Sequence, residues 1–230
     1  MNIGGLQKTT LIDYPGKIGC TVFLTGCNFR CPWCQNPELV LPEKIKKSPK
    51  ISEKDFFNFL EERKGFLEGV CITGGEPTIH KDLPNFIKKI KKLGFAVKLD
   101  TNGSNPRILK NLIKKKLIDY IAMDVKAPLK NPDIKKSVEI IKNSSLDYEF
   151  RTTVVPTVHN KEDIIKIARE LSKPTRLRQG FGGQRKYYLQ NFRPEKTIDP
   201  KFKKIKPFNQ KQLESIQKEC QKYLPTELRD

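Results

Sequence analysis

Six short β-branched segments, each trailed by a stretch with the apolar period of an amphipathic helix, leave this chain few folds to choose from. They read as strands at roughly 18–25, 69–73, 95–100, 119–125, 147–155 and 187–192. Ser52 stands where an N-cap is needed for a helix carrying Phe56, Phe57 and Leu60. Asp82 with Pro84 opens the next, in which Phe86, Ile90 and Leu93 recur at i, i+4 and i+7 and Gly94 supplies the stop. Leu109, Leu112 and Ile113, then Ile134, Val138 and Ile141, then Ile164, Ala168 and Leu171 mark three more. A last helix over about 209–223 puts Leu213, Ile216 and Cys220 on one face. Right-handed βαβ units of this number build an α/β fold, either a doubly wound parallel sheet or a barrel-like (β/α)6 arc, and periodicity alone does not choose between them. At 230 residues the expectation is a single domain, 1–230, with an N-terminal extension over 1–17. Residues 173–186, KPTRLRQGFGGQRK, break the alternation, being rich in Gly and Arg and nearly free of core residues, and are predicted to form a mobile loop.

Composition removes several function classes. No apolar run approaches the roughly 18 residues that span a bilayer, so no membrane association is expected, and the first residues carry no export signal, which points to a cytoplasmic protein. With only two histidines, a His-rich metal centre is excluded and a Ser/His/Asp triad has little to draw on. The 45 Lys and Arg against 26 Asp and Glu give a net charge of +19, which attracts polyanions at low salt. A basic nucleic-acid-binding protein is therefore one alternative. The lysines, however, are spread over helix faces, as in KIKKLG and LIKKKL, instead of being interleaved with stacking aromatics, so no specific nucleic acid is expected.

Six cysteines are too few for a disulfide scaffold, and three of them, Cys27, Cys31 and Cys34, crowd into GCNFRCPWC directly after the first strand. Soft thiolates at C-x3-C-x2-C suit an iron–sulfur cluster or zinc. Structural zinc wants four protein ligands, and no second C-x2-C pair is present. Cys20 and Cys71 could complete a zinc knuckle, but each alternates with apolar residues along its strand and reads as core. A four-iron cluster held at three corners leaves one iron open to a cofactor or substrate. Trp33 lies between two of the cysteines and reads as a cofactor wall.

Polar and special residues recur where the other strands finish, which is where α/β enzymes assemble their sites. TGGEP at 73–77 supplies Gly74 and Gly75, which allow close backbone approach, and the carboxylate of Glu76. LDTNG at 99–103 supplies Asp100 and Asn102, which could equally be turn formers, and MDVK at 123–126 supplies Asp124 and Lys126, which could equally be a structural ion pair. RTTVVP and LQNF end the fifth and sixth strands.

Together CNFRCPWC, GGEP, DTNG, MDVK and the leading LIDYPG resemble the radical S-adenosylmethionine (radical SAM) enzymes, specifically the activating proteins of anaerobic ribonucleoside-triphosphate reductase and the related pyruvate formate-lyase activases. The resemblance covers most of residues 1–160 and resumes at YYLQNFRP. It implies a partial (β/α)6 barrel in which Cys27, Cys31 and Cys34 ligate a 4Fe-4S cluster whose fourth iron is chelated by S-adenosyl-L-methionine. By the same resemblance Gly74, Gly75 and Glu76 hold the methionyl amine, while Asp100, Asn102, Asp124 and Lys126 surround the ribose, the carboxylate or a nearby cation. The surroundings of Trp33 meet the adenine. One electron then cleaves the sulfonium C–S bond, and the resulting radical takes hydrogen from a glycine of a large partner, with no side chain needed as acid or base. The partners implied are a glycyl-radical enzyme, in the first place the anaerobic ribonucleotide reductase large subunit, and a one-electron donor such as flavodoxin or ferredoxin. A radical enzyme acting on a small molecule in nucleotide or cofactor biosynthesis is the alternative. The 173–186 segment looks inserted relative to the family and reads as a tolerated surface insertion.

Overall fold

The computed structural model describes residues 1–174 and 185–229, so most of the Gly- and Arg-rich 173–186 stretch lies outside the described residues. The elements are β1 (Ile3–Thr10), β2 (Gly19–Leu24), α1 (Pro37–Val40), α2 (Pro42–Ile45), α3 (Glu53–Glu62), β3 (Gly69–Gly74), α4 (Leu83–Lys92), β4 (Ala96–Thr101), α5 (Pro106–Lys114), β5 (Tyr120–Asp124), α6 (Pro132–Lys142), β6 (Asp147–Val154), α7 (Lys161–Ser172), β7 (Arg185–Asn191), α8 (Gln210–Gln221) and β8 (Thr226–Arg229). The strands follow one another in chain order through one sheet. The six expected strands are β2 to β7. Sequence periodicity missed β1, which pairs antiparallel with β2, and β8, which pairs parallel with β7.

The contacts divide the chain into two compact units. The first comprises Met1–Arg30, Asn36–Thr101 and Lys110–Ile121. Here β2, β3 and β4 pair in parallel, with Cys20 opposite Val70 and Val70 opposite Val97. Their apolar residues Val22, Leu24, Val70, Ile72, Val97 and Leu99 are fully buried. α4 shows why such a helix forms: Leu83, Phe86, Ile87 and Ile90 fall on one face and are buried, while the lysines between them face outward. Pro84 suits the first turn, and Gly94, at φ +93°, ends the helix where a residue with a Cβ would be strained. The Asp82 side chain makes no capping bond, so its part in opening this helix is positional only. Ser52 does cap α3, accepting from Asp55 N, but α3 buries Phe56, Phe59 and Leu60, with Phe57 half-buried against the Phe56 and Phe86 rings.

The second unit comprises Cys31–Gln35, Asn102–Leu109 and Ala122–Asp230. β6, β7 and β8 pair in parallel, Arg151 opposite Tyr188 and Gln190 opposite Arg229. α7 and α8 each begin with a capping box, Asn160 with Asp163 and Asn209 with Gln212. Phe150, Thr152, Val154, Tyr187 and Leu189 are buried. The alternate residues are charged or polar: Glu149 takes a two-pronged contact from Arg229 (2.7 and 3.0 Å), and the Arg229 guanidinium lies 3.6 Å over the Tyr188 ring. That clamp secures the last strand. Cys220 is fully buried on α8, as its spacing suggested, and burial pushes its thiol up to about 12.

Candidate active site

In the first unit two loops are zipped together by backbone hydrogen bonds. Leaving β2, Gly26 adopts φ +95° and donates to Leu39 O (2.7 Å), which turns the chain into the cysteine segment. Gly75 N donates to Leu24 O (2.8 Å) and Glu76 N to Gly26 O (2.8 Å). The approach is so close that a Cβ on Gly74 would run into the Leu24 backbone, and one on Gly75 into the Gly26 carbonyl. The two glycines of GGEP are thus demanded by the loop that carries Cys27. Glu76 is fully buried, and its Oε1 accepts from Thr78 N (3.1 Å), Thr78 Oγ1 (2.5 Å) and Thr101 Oγ1 (2.8 Å). It therefore caps the single turn Pro77–Ile79 and ties that turn to the end of β4. Cys27 Sγ accepts from Phe29 N (3.3 Å), and Arg30 folds back onto the carbonyls of Cys27 and Phe29. Asp100 sits within β4 instead of a turn, where Lys98, only 2% exposed, reaches its Oδ1 at 2.5 Å. Thr73 Oγ1 and Cys71 Sγ also donate to Asp100, at 3.3 and 3.7 Å, so Cys71 is a buried polar neighbour as well as a core residue.

In the second unit Cys31 and Cys34 are held in one turn, Cys34 N donating to Cys31 O (3.0 Å). Burial pushes the Cys31 thiol up, opposed by the positive charge of Lys126. Lys126 and Asp124 do form the ion pair that MDVK allowed, at 3.1 Å, and Arg151 Nε joins Asp124 at 2.9 Å. Burial alone would raise the Asp124 carboxyl, but Arg151 and Lys126 prevail and hold it well below the usual carboxylate range. Burial would likewise depress Lys126, and Asp124 with the Cys31 sulfur outweighs it and pushes the ammonium up. Asn102 is buried and accepts from Ser104 N (2.9 Å), fixing a turn after β4.

Three residues that sequence reasoning passed over belong to this half. His159, 3% exposed, accepts from Val155 N at Nδ1 (3.1 Å), which leaves the ring proton on Nε2 to bond Lys126 O (2.9 Å). It thereby fixes the backbone beneath the Lys126 side chain. Its ring also stands edge-on to Trp33 at 6.2 Å, and Phe202 lies 6.2 Å from Trp33. Asp199 N donates to Pro32 O (2.9 Å). The only available signal was the scarcity of histidine and the phenylalanine in PKFKK; neither carries a spacing that points to residue 33.

Among the described residues no three Cys, His, Asp or Glu side chains converge on a point that would hold one metal ion. The donor set fits a cluster, since each thiolate of a 4Fe-4S cube binds its own iron. The thiol chemistry is that of a thiolate-ligated cofactor. Residues 21–171 match the radical SAM superfamily, and the chain belongs to it; its members use a 4Fe-4S cluster with S-adenosylmethionine. A protein of Methanocaldococcus jannaschii provisionally named a glycyl-radical enzyme activating enzyme is 34% identical over 239 residues, covering 96% of this chain and 92% of that one. The pyruvate formate-lyase-activating enzyme of Clostridium pasteurianum is 31% identical over 188 residues, 72% of this chain and 74% of that one. Within the superfamily the chain thus falls among the glycyl-radical enzyme activating enzymes. The crystal structure of Streptococcus suis SuiB bound to precursor peptide SuiA shares the α/β fold, with TM-score 0.65 and 16% identity over 91% of this chain, which spans about half (48%) of that one.

Proposed function

We propose that this protein uses its cluster and S-adenosylmethionine to generate a glycyl radical on a partner enzyme, and that the partner is the large subunit of anaerobic ribonucleoside-triphosphate reductase. One observation carries the activase reading: the likeness to a protein named as an activating enzyme runs through 96% of the chain. The choice of reductase rests on LIDYPG and LQNF. When bound, the cluster supplies one electron to the sulfonium, and the chain's own residues bind, orient and shield. In this reading Cys27, Cys31 and Cys34 hold the cluster. Gly74, Gly75 and Glu76 hold the methionyl amine, with Glu76 also keeping the turn rigid. Asp100, Asn102, Asp124 and Lys126 line the ribose and carboxylate, and Trp33 walls the adenine. Because Arg151 and Lys126 keep Asp124 ionised, it is a fixed hydrogen-bond acceptor across the working pH range. Among the described residues no helix is long and apolar enough to cross a membrane; the setting proposed is cytoplasmic, with a cytoplasmic electron donor.

The test is anaerobic reconstitution. The protein should take up about four irons per chain, cleave S-adenosylmethionine when reduced, and raise a glycyl radical signal on the reductase. Alanine at Cys27, Cys31 or Cys34 should abolish cleavage. Alanine at Cys20 or Cys220 should cost about 1–3 kcal/mol of stability and spare it. Normal cleavage with no radical on the reductase would remove the partner assignment.

A further inference from the structure

The segment between β7 and α8 lies against the cysteine loop and is strongly basic. It is pinned along its length: Asp199 N bonds Pro32 O (2.9 Å), Phe202 packs against Trp33 and Phe192 (6.2 and 6.3 Å), and Asn191 Nδ2 bonds Phe208 O (2.8 Å). The Asp199 carboxylate accepts from Lys201 N (2.9 Å) and starts the single turn Pro200–Lys204. From this fixed strap Lys201, Lys203, Lys204 and Lys206 project into solvent, and none of the four forms an ion pair among the described residues. A nucleic acid would want exposed rings between the charges, but Phe202 is half-buried and packs on Trp33.

This inference rests on the activase reading, which requires one external electron per turnover. The other cysteines, Cys20, Cys71 and Cys220, are each buried in separate elements and offer no second cluster as a relay. The electron must therefore enter from outside, close to the loop. We propose that the strap, through Lys201, Lys203, Lys204 and Lys206, is the docking surface for an acidic one-electron carrier protein. The transfer balances simply: the carrier loses one electron and is oxidised, the oxidised cluster gains it, and no bond forms or breaks. The charged rim steers the encounter, and the Phe202–Trp33 contact brings the carrier's edge against the segment between Cys31 and Cys34.

The experiment uses the reconstituted holoprotein, flavodoxin hydroquinone as the acidic probe and titanium(III) citrate as a small reductant. Wild type is compared with the Lys201→Glu/Lys203→Glu/Lys204→Glu/Lys206→Glu variant and with the corresponding Lys→Gln variant. Charge reversal should slow flavodoxin-driven cluster reduction about tenfold or more and weaken oxidised flavodoxin binding in parallel, while titanium-driven reduction stays unchanged. The Gln variant should fall between. A flavodoxin rate within about twofold of wild type overturns the proposal, because four charges at a docking site cannot be that silent. Equal slowing with both reductants also overturns it, assigning the strap to holding the loop alone. Intact reduction with a reduced glycyl radical yield overturns it in favour of the radical partner. Failure of the wild type to take up iron would instead sink the activase reading, and is seen before any reductant is added.

Discussion

Gly75 and Lys98 show how far single residues are committed to their neighbours. A methyl group on Gly75 would meet the Gly26 carbonyl, a backbone atom that cannot swing away, so Gly75→Ala should destabilise by about 1–3 kcal/mol or more and lower iron uptake. Gly94→Ala is the contrast: no heavy atom lies within 4 Å, and only its φ of +93° is strained, at a cost of about 1–2 kcal/mol with normal iron uptake. Urea unfolding and iron analysis separate the two. Lys98 is buried beside Asp100 at 2.5 Å, so Lys98→Met should cost about 3–5 kcal/mol by removing the buried ammonium that faces the carboxylate. Adding Asp100→Asn should restore much of that stability, a coupling that a double-mutant cycle measures directly.

At the level of elements, the last strand depends on one clamp. Arg229→Ala would take from the fully buried Glu149 its two-pronged guanidinium contact, Arg151 standing farther off at 3.8 Å. β8 amides should then exchange faster than those of β6, with a stability loss of about 2–4 kcal/mol that Arg229→Lys recovers poorly, since lysine lacks the fork and the stacking plane. Hydrogen exchange read strand by strand would check it. β8 was also illegible from sequence: TELR is too short for a period, and its place is set by β7 and Glu149, 80 residues away. β1 hid because most of IGGLQKTT is half-exposed or exposed and it carries glycines. β2, β3 and β5 were legible because burial on both faces leaves near-continuous apolar runs, whereas β4, β6 and β7 interleave charged residues and were legible through their β-branched, aromatic and leucine residues. Site residues followed the same rule. The cysteines, GGEP and MDVK were visible as local patterns at strand ends, whereas His159 and Phe202 acquire meaning only through contacts with residues 33 and 126. Lys98 alternates with apolar residues on β4, and its buried place becomes meaningful only through its contacts with Asp100 and Cys71.

For the whole molecule, acid is the weak side. Burial lowers the pKa of both histidines, His80 and His159, below the ordinary 6.5, so the unfolded chain binds protons that the folded chain refuses. Stability present above pH 6.5 should be lost as pH falls through the folded values, by up to about 1.4 kcal/mol per pH unit for each histidine. His159→Gln should flatten that slope in a plot of Tm against pH. The arrangement around residue 33 has a practical corollary. The protein has one tryptophan, and that indole stands between two cysteines with His159 and Phe202 at its edges. Excited at the red edge of its absorption, where tyrosine scarcely contributes, the molecule therefore carries a native optical gauge at a single address. Iron loading should quench its emission, and loosening of the strap should shift the band, without any label being attached.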